Sequence, residues 1–185
     1  GAALVQTQRM TAALAHRGPD AEGHWTDDNH VVLGHRRLSI LDTSQGANQP
    51  MTSCCGRYIL AFNGEVYNYQ ELKQELDYPF QTTGDSEVVL AAFKAWGKAA
   101  LQRFNGMFAI ALWDTQEETL MLARDRMGIK PLYVHQDSTG LLWASEIRAL
   151  LASGRVKRKL SRSGLVDFLR YQTVHGPDTL IEGVR

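Results

Sequence analysis

Helical and extended patterning are segregated along this 185-residue chain, and that segregation limits the folds open to it. Tyr58-Ile59-Leu60-Ala61-Phe62 is an apolar run of strand length. Residues 107–113 and 119–125 give two more runs joined by a polar turn, and 132–136 with 141–144 a further pair. Extended stretches at 23–25 and 31–35 precede them, with 37–42 also reading as extended. Helical spacing is confined to other blocks: 8–15, 69–76, the Val89, Ala92, Phe93 and Trp96 pattern after Asp85, 99–104, 146–152 and 165–171. Long runs of strands with helices set apart point to layered α+β with antiparallel sheets rather than alternating βαβ units.

The chain is long enough for one domain with its own core. Its 20 basic and 20 acidic residues cancel, which argues against general binding to nucleic acid or to an anionic membrane. No apolar run reaches spanning length, and the first residues lack the basic-then-apolar order of a secretory leader. Cys54 and Cys55 are neighbours, a spacing that rarely makes a structural disulfide, and they point to a reducing cytoplasm. His16, His24, His30, His35, His135 and His175 show no metal-ligand spacing, and no glycine-rich phosphate loop is present. After Ser153-Gly154 the composition shifts to Arg155, Lys157, Arg158, Lys159 and Arg162, which reads as a solvated linker. The expected organisation is therefore a domain over 1–153 followed by a linker and connection over 154–185.

Asn63-Gly64 closes the apolar run at 58–62, yet no second strand answers it; Tyr69 onward reads as helix. Asn-Gly is a hairpin signal, and a left-handed turn is one reading. The other is a pair of donors, an amide NH₂ beside a glycine N–H that another group can approach closely, suited to a developing oxyanion. Arg37 follows Arg36 and precedes alternating Leu38-Ser39-Ile40-Leu41, so one of the two arginines shares a strand face with core side chains. That guanidinium is either a surface ion-pair partner or a bidentate carboxylate site. Asp85 opens a helix after Gly84 and is either a plain cap or a partner for an ammonium. Carboxylate, ammonium and oxyanion sites together fit an amino acid with a reactive side-chain carbonyl. Cys54 and Cys55 read as turn thiols, with a nucleophilic role the alternative.

These residues sit in segments that resemble a known family. "HRGPDAEG" (16–23), "HRRLSILD" (35–42), "QPM" (49–51), "FNGEVYNYQEL" (62–72), "TTGDSEVVL" (82–90), "FNGMFAIALWD" (104–114), "ARDRMGIKPLY" (123–133) and "ASEIRALL" (144–151) run in the order found in class II glutamine amidotransferase domains of asparagine synthetases, members of the N-terminal-nucleophile hydrolases. The resemblance implies a four-layer αββα sandwich of two antiparallel sheets between helical layers. It implies that Asn63 and the Gly64 N–H form an oxyanion hole, and that Arg37 holds the carboxylate of glutamine. Asp85 and Glu65 would hold its amino group, and the backbone of Leu38, Ser39, Ile40 and Leu41 would line the pocket. It implies no cofactor in this domain, with ATP and Mg²⁺ in a C-terminal synthetase domain that amidates aspartate with the released ammonia. Glutamine and that domain are the implied partners; the oligomeric state stays open, a homodimer being one option.

One departure qualifies the resemblance. The family's nucleophile is an N-terminal cysteine on an opening strand, its own α-amine acting as base. Here Gly1-Ala2-Ala3 leads directly toward the helix before "HRGPD", and Cys54 and Cys55 are internal. The expectation is a chain without the first strand and its cysteine, inactive by itself. Two other readings stay open: a glutamine- or partner-binding module without catalysis, and an amidotransferase for another acceptor, such as a sugar acid.

Overall fold

A computed structural model describes residues 1–185. In chain order its elements are α1 (Ala2–Ala12), β1 (Ala21–Thr26), β2 (Val32–Arg37), β3 (Met51–Thr52), β4 (Tyr58–Val66), α2 (Tyr69–Glu75), α3 (Asp85–Trp96), α4 (Ala100–Arg103), β5 (Gly106–Asp114), β6 (Thr119–Arg124), β7 (Tyr133–Asp137), β8 (Gly140–Ala144), α5 (Ile147–Ala152) and α6 (Arg162–Tyr171). Every strand pair is antiparallel.

The centre is a four-stranded sheet in the order β3-β4-β5-β6. Alternation along β4 and β5 sends Leu60, Phe62, Val66, Phe108, Ile110 and Leu112 to one face, where Val88, Val89, Ala92 and Phe93 of α3 cover them. Phe93, Phe104 and Phe108 continue this core as two edge-to-face ring pairs, each with centroids 5.8 Å apart. Ile59, Ala111 and Trp113 point the other way and meet Val31 and Leu33 beside β2. Both faces of the sheet are thus buried, which is why its strands read as continuous apolar runs.

The second strand layer comes as two hairpins, β1–β2 and β7–β8, rather than one continuous ladder. Helices α1 and α5 form the outer layer above them. Gly34 of β2 lets α1 lie close: a Cβ there would stand 2.5 Å from Thr11 Cγ2 and 2.8 Å from Thr7 Cγ2. Met10 of α1, Leu142 and Ala144 of β8, and Ala149 and Leu150 of α5 share a small core with Val156 and Val184. The architecture is an α+β sandwich with helical layers on both outer sides.

Three local expectations change. The first helix spans Ala2–Ala12 rather than 8–15. Strand β4 does not end at Asn63-Gly64; it runs on to Val66, paired with β5 as far as Gly106, because Gly64 and Gly106 both allow close backbone packing across the ladder. Residues 38–42 are not extended. They fold around the Arg37 guanidinium, which donates to the carbonyls of Asp42 and Ser44 and to Asn48 Oδ1. At the C-terminal end, Val134 and Arg185 exchange backbone hydrogen bonds of 2.6 and 3.0 Å, so the last residues edge β7. No helix is long and apolar enough to cross a membrane.

Candidate active site

Ladder parity decides where Gly64 points its N–H. Phe108, opposite Gly64, spends its backbone groups on the far side: its N–H donates to Asp125 Oδ2 (3.2 Å) and its carbonyl accepts from Asp125 N (2.8 Å). Hydrogen-bonded and non-hydrogen-bonded pairs alternate in an antiparallel ladder, so Gly64 and Phe62 aim their groups out of the β4 edge away from β5. Strand β3 pairs only with Leu60 and Ile59 on that edge. At Phe62 the Gln49 side chain takes over: Oε1 accepts the Phe62 N–H at 2.6 Å and Nε2 donates to its carbonyl at 3.1 Å. One step further on, the Gly64 N–H projects from the edge beyond β3. A side chain at Gly64 would strike Met107 O at 2.2 Å, so the glycine is set by packing on β5.

Asn63 and Glu65 alternate onto the opposite face from Phe62, toward the hairpin layer. Asn63 Nδ2 lies 3.4 Å from Ser145 Oγ, just after β8. Asn63 lines a cavity of about 480 Å³, within the range of ligand pockets. Its walls are the β2 side at Val32, Gly34 and His35 and the β8 side at Leu142 and Ala144, with α1 above and Ala61, Ala109 and Ala111 below. The small residues on that floor leave an elongated slot between the hairpins.

The other expected site residues gather around the same end of the sheet. His35, two residues before Arg37 on one face of β2, stands 3.1 Å from the Phe62 carbonyl through Nε2, tying the β2 end to the strand that carries Asn63. Arg37 is buried and Arg36 is not its equal: Arg36 turns to Glu22 and the Gly18 carbonyl. Of the five Arg37 N–H groups three hold the 42–48 loop. The Nε–H and one Nη2–H remain, a side-on fork that fits a carboxylate. Asp42 closes the loop onto Thr83, accepting from its N–H and hydroxyl at 2.8 and 3.0 Å. Leu38, Ile40 and Leu41 are exposed on this rim, and Ser39 N donates to Asp20 Oδ2.

Asp85 occupies the first turn of α3 without capping it; it accepts the Val66 N–H at 2.9 Å. Burial raises its pKa, and the Glu65 carboxylate raises it further. Two neighbouring carboxylates, one of them buried, make a place that a cation stabilises.

Cys54 and Cys55 are exposed in the turn before β4. The five residue steps along β4 from Tyr58 to Asn63 alone separate them from the Asn63 side chain by roughly 16 Å. Cys54 Sγ faces Lys94 Nζ at 3.6 Å, on the α3 side of the sheet. Neither thiol lines the slot.

Gln49, His35 and Ser145 were not singled out from sequence. Each lies at or near the start of a family-like segment, "QPM", "HRRLSILD" and "ASEIRALL", which is the one signal that could have found them.

Comparison with known proteins finds matches along nearly the whole chain. A family model described as a glutamine amidotransferase domain matches residues 3–185. Asparagine synthetase [glutamine-hydrolyzing] 3 of Bacillus subtilis is 36% identical over 184 residues, covering 96% of this chain and 30% of that protein. Asparagine synthetase B [glutamine-hydrolyzing] of Escherichia coli is 43% identical over 145 residues, covering 77% of this chain and 26% of the relative. Amidase chry2 of Gibberella zeae is 46% identical over 146 residues, covering 76% and 22%. The chain thus spans less than a third of the length of these relatives.

Proposed function

The chain belongs to the glutamine amidotransferase domain family, and from that premise we propose that it forms the glutamine-hydrolysing half of an asparagine-synthetase-like enzyme. The observation that carries the reading is the placement of Asn63 and Gly64: an amide facing the slot and a backbone N–H leaving the open strand edge beside it. Arg37 grips the α-carboxylate of glutamine with its two remaining N–H groups. Asp85 and Glu65 hold the α-ammonium, which relieves their mutual repulsion. The folded loop at Leu38, Ser39, Ile40 and Leu41 closes the pocket wall.

The nucleophile is a cysteine on a segment outside these 185 residues, seated as a strand between β2 and β8. Its own α-amine takes the thiol proton as the sulfur attacks the side-chain amide carbon of glutamine, the carbonyl π electrons move onto oxygen, and the amine then hands that proton to the leaving nitrogen. Asn63 Nδ2–H and Gly64 N–H donate to that oxyanion, the point where charge develops in the transition state. Collapse breaks the C–N bond, ammonia leaves with the transferred proton, and water then hydrolyses the thioester to glutamate. In this reading residues 1–153 are the glutaminase and 154–185 lead into a synthetase domain, where ATP and Mg²⁺ support amidation of aspartate in a reducing cytoplasm. The second reading is a different acceptor, since acceptor choice lies outside this domain and a similar stretch occurs in a relative that is not named a synthetase, Amidase chry2.

The test is Asn63→Ala in the full-length protein, assayed with glutamine and with ammonia. Glutamine turnover should fall by roughly 10²–10³ while ammonia-dependent product formation persists. Unchanged glutamine turnover with an earlier melting transition would make Asn63 a structural residue only.

A further inference from the structure

Two thiols outside the slot stand side by side at the tip of the β3–β4 hairpin. Ser53 and Tyr58 close that hairpin, the Ser53 N–H donating to the Tyr58 carbonyl at 2.9 Å. Inside it the Gly56 N–H donates to the Ser53 carbonyl at 2.8 Å, which makes Cys54 and Cys55 the central residues of a tight turn. Both thiols are free and exposed. The turn keeps its shape through backbone hydrogen bonds that owe nothing to sulfur.

Each sulfur has a polar neighbour of its own. Ser53 Oγ accepts the Tyr58 N–H at 3.0 Å, so its hydroxyl proton is free to donate to Cys55 Sγ at 3.4 Å. That hydroxyl first, and then the Arg57 N–H, pull the Cys55 thiol below its ordinary pKa; slight burial opposes them and the Lys94 charge adds a little. Cys54 Sγ faces Lys94 Nζ at 3.6 Å, and the Cys54 N–H donates to the Tyr78 hydroxyl at 2.9 Å. Lys94 Nζ also stands 5.4 Å from the centre of the Tyr78 ring, so ring and sulfur hold the ammonium between them.

We propose that Cys54 and Cys55 form a thiol–disulfide exchange site for small-molecule disulfides, with Cys55 the attacking thiol and Cys54 the resolving one. The Cys55 thiolate attacks one sulfur of the small disulfide. That S–S bond breaks, and the departing thiolate takes up the proton that Cys55 released. Cys54 then gives up its proton and attacks the Cys55 sulfur of the mixed disulfide, with the Lys94 ammonium beside the developing charge. The second small thiolate leaves and takes that proton. The two cysteines are oxidised to one disulfide, and the small disulfide is reduced to two thiols. Neighbouring Cα atoms are about 3.8 Å apart, closer than the roughly 4.4–6.8 Å usual across a disulfide. The closed ring is therefore strained, and a small thiol reopens it, which makes the bond reversible rather than structural.

The test treats the full-length protein with oxidised glutathione and follows the peptide spanning Cys54 and Cys55 by mass spectrometry after an acid quench. The wild-type peptide should lose two hydrogens and retain no glutathione, and reduced glutathione should restore both thiols. Cys54→Ser should stop at the mixed disulfide on Cys55. Cys55→Ser should react several-fold more slowly, at Cys54. A wild-type peptide that keeps glutathione and never closes overturns the pairing of the two thiols. Equal rates in the two serine variants overturn Cys55 as the attacking thiol, and no exchange at either sulfur overturns the site itself. Both sulfurs lie outside the slot, so these outcomes decide the exchange site whether or not the protein hydrolyses glutamine.

Discussion

The central sheet and the layer of hairpins facing it are built from similar strands but held in different ways. Strands β4 and β5 pair over nine residues each and are covered by α3 on one side and by β2 on the other. Their position is set by apolar burial. The hairpins meet that sheet at the site through polar contacts instead: His35 to the Phe62 carbonyl and Ser145 to Asn63. The comparison teaches a division of labour. The dry sheet presents Asn63 and the Gly64 N–H at fixed positions, and the hairpin layer carries Arg37 and walls of the slot.

The largest expected effect breaks the sheet side. Phe93→Ala removes a ring that is 2% exposed and should destabilise the fold by about 3–5 kcal/mol. A denaturant midpoint close to the wild-type value would show that α3 is not the anchor of the sheet. Asn63→Ala comes next, with its cost in catalysis rather than stability. The fall of 10²–10³ in glutamine turnover, equivalent to about 3–4 kcal/mol in the barrier, should leave KM nearly unchanged because the donor acts on charge formed in the transition state. Steady-state kinetics with a parallel melting curve separate the two.

On the hairpin side, Arg37→Ala should weaken glutamine binding by about 1.5–3 kcal/mol, the usual loss of a charge-assisted hydrogen bond. It should also lower the melting temperature, since the 42–48 loop folds on the guanidinium. Arg36→Ala loses contacts with Glu22 and the Gly18 carbonyl, neither of them facing the slot, and should change glutamine KM little. Equal KM effects would reverse the assignment of the two arginines.

A smaller effect is a pH slope from His35. Its folded pKa of about 4 lies below the ordinary 6.5, so the unfolded chain takes up the proton first as pH falls. The stability tied to this group is full above about pH 6.5 and is lost as pH drops toward 4. Between pH 7 and pH 5 the loss is about 2 kcal/mol, and His35→Gln should flatten that part of the stability profile. The smallest effect is expected at the turn before β4. Serine at both Cys54 and Cys55 should leave glutamine turnover unchanged, and a large loss would return the nucleophile to this chain.

Legibility followed the range of the interactions. Pattern alone placed β5, β6, β8 and the helices at 69–75 and 85–96 within a residue or two, because burial on a strand or helix face leaves a local period. It ended β4 too soon, since Asn-Gly favours a turn in isolation and the pairing with Met107 and Gly106 that carries the strand onward comes from some forty residues later. It took residues 38–42 as extended because their alternation carries no trace of a guanidinium that gathers the loop.

By itself the sequence determined the separate blocks of strand and helix, the apolar faces that make the sheet two-sided, and the segments that resemble an amidotransferase. Only the tertiary structure decided which edge the Gly64 N–H leaves from, that Gln49 closes that edge at Phe62, and that His35 reaches the Phe62 carbonyl and Ser145 meets Asn63 from opposite hairpins. Periodicity records whether a side chain faces core or solvent. The direction of a backbone donor depends on ladder register, and a contact across the sandwich depends on how two layers meet; both are fixed by packing between residues distant in sequence.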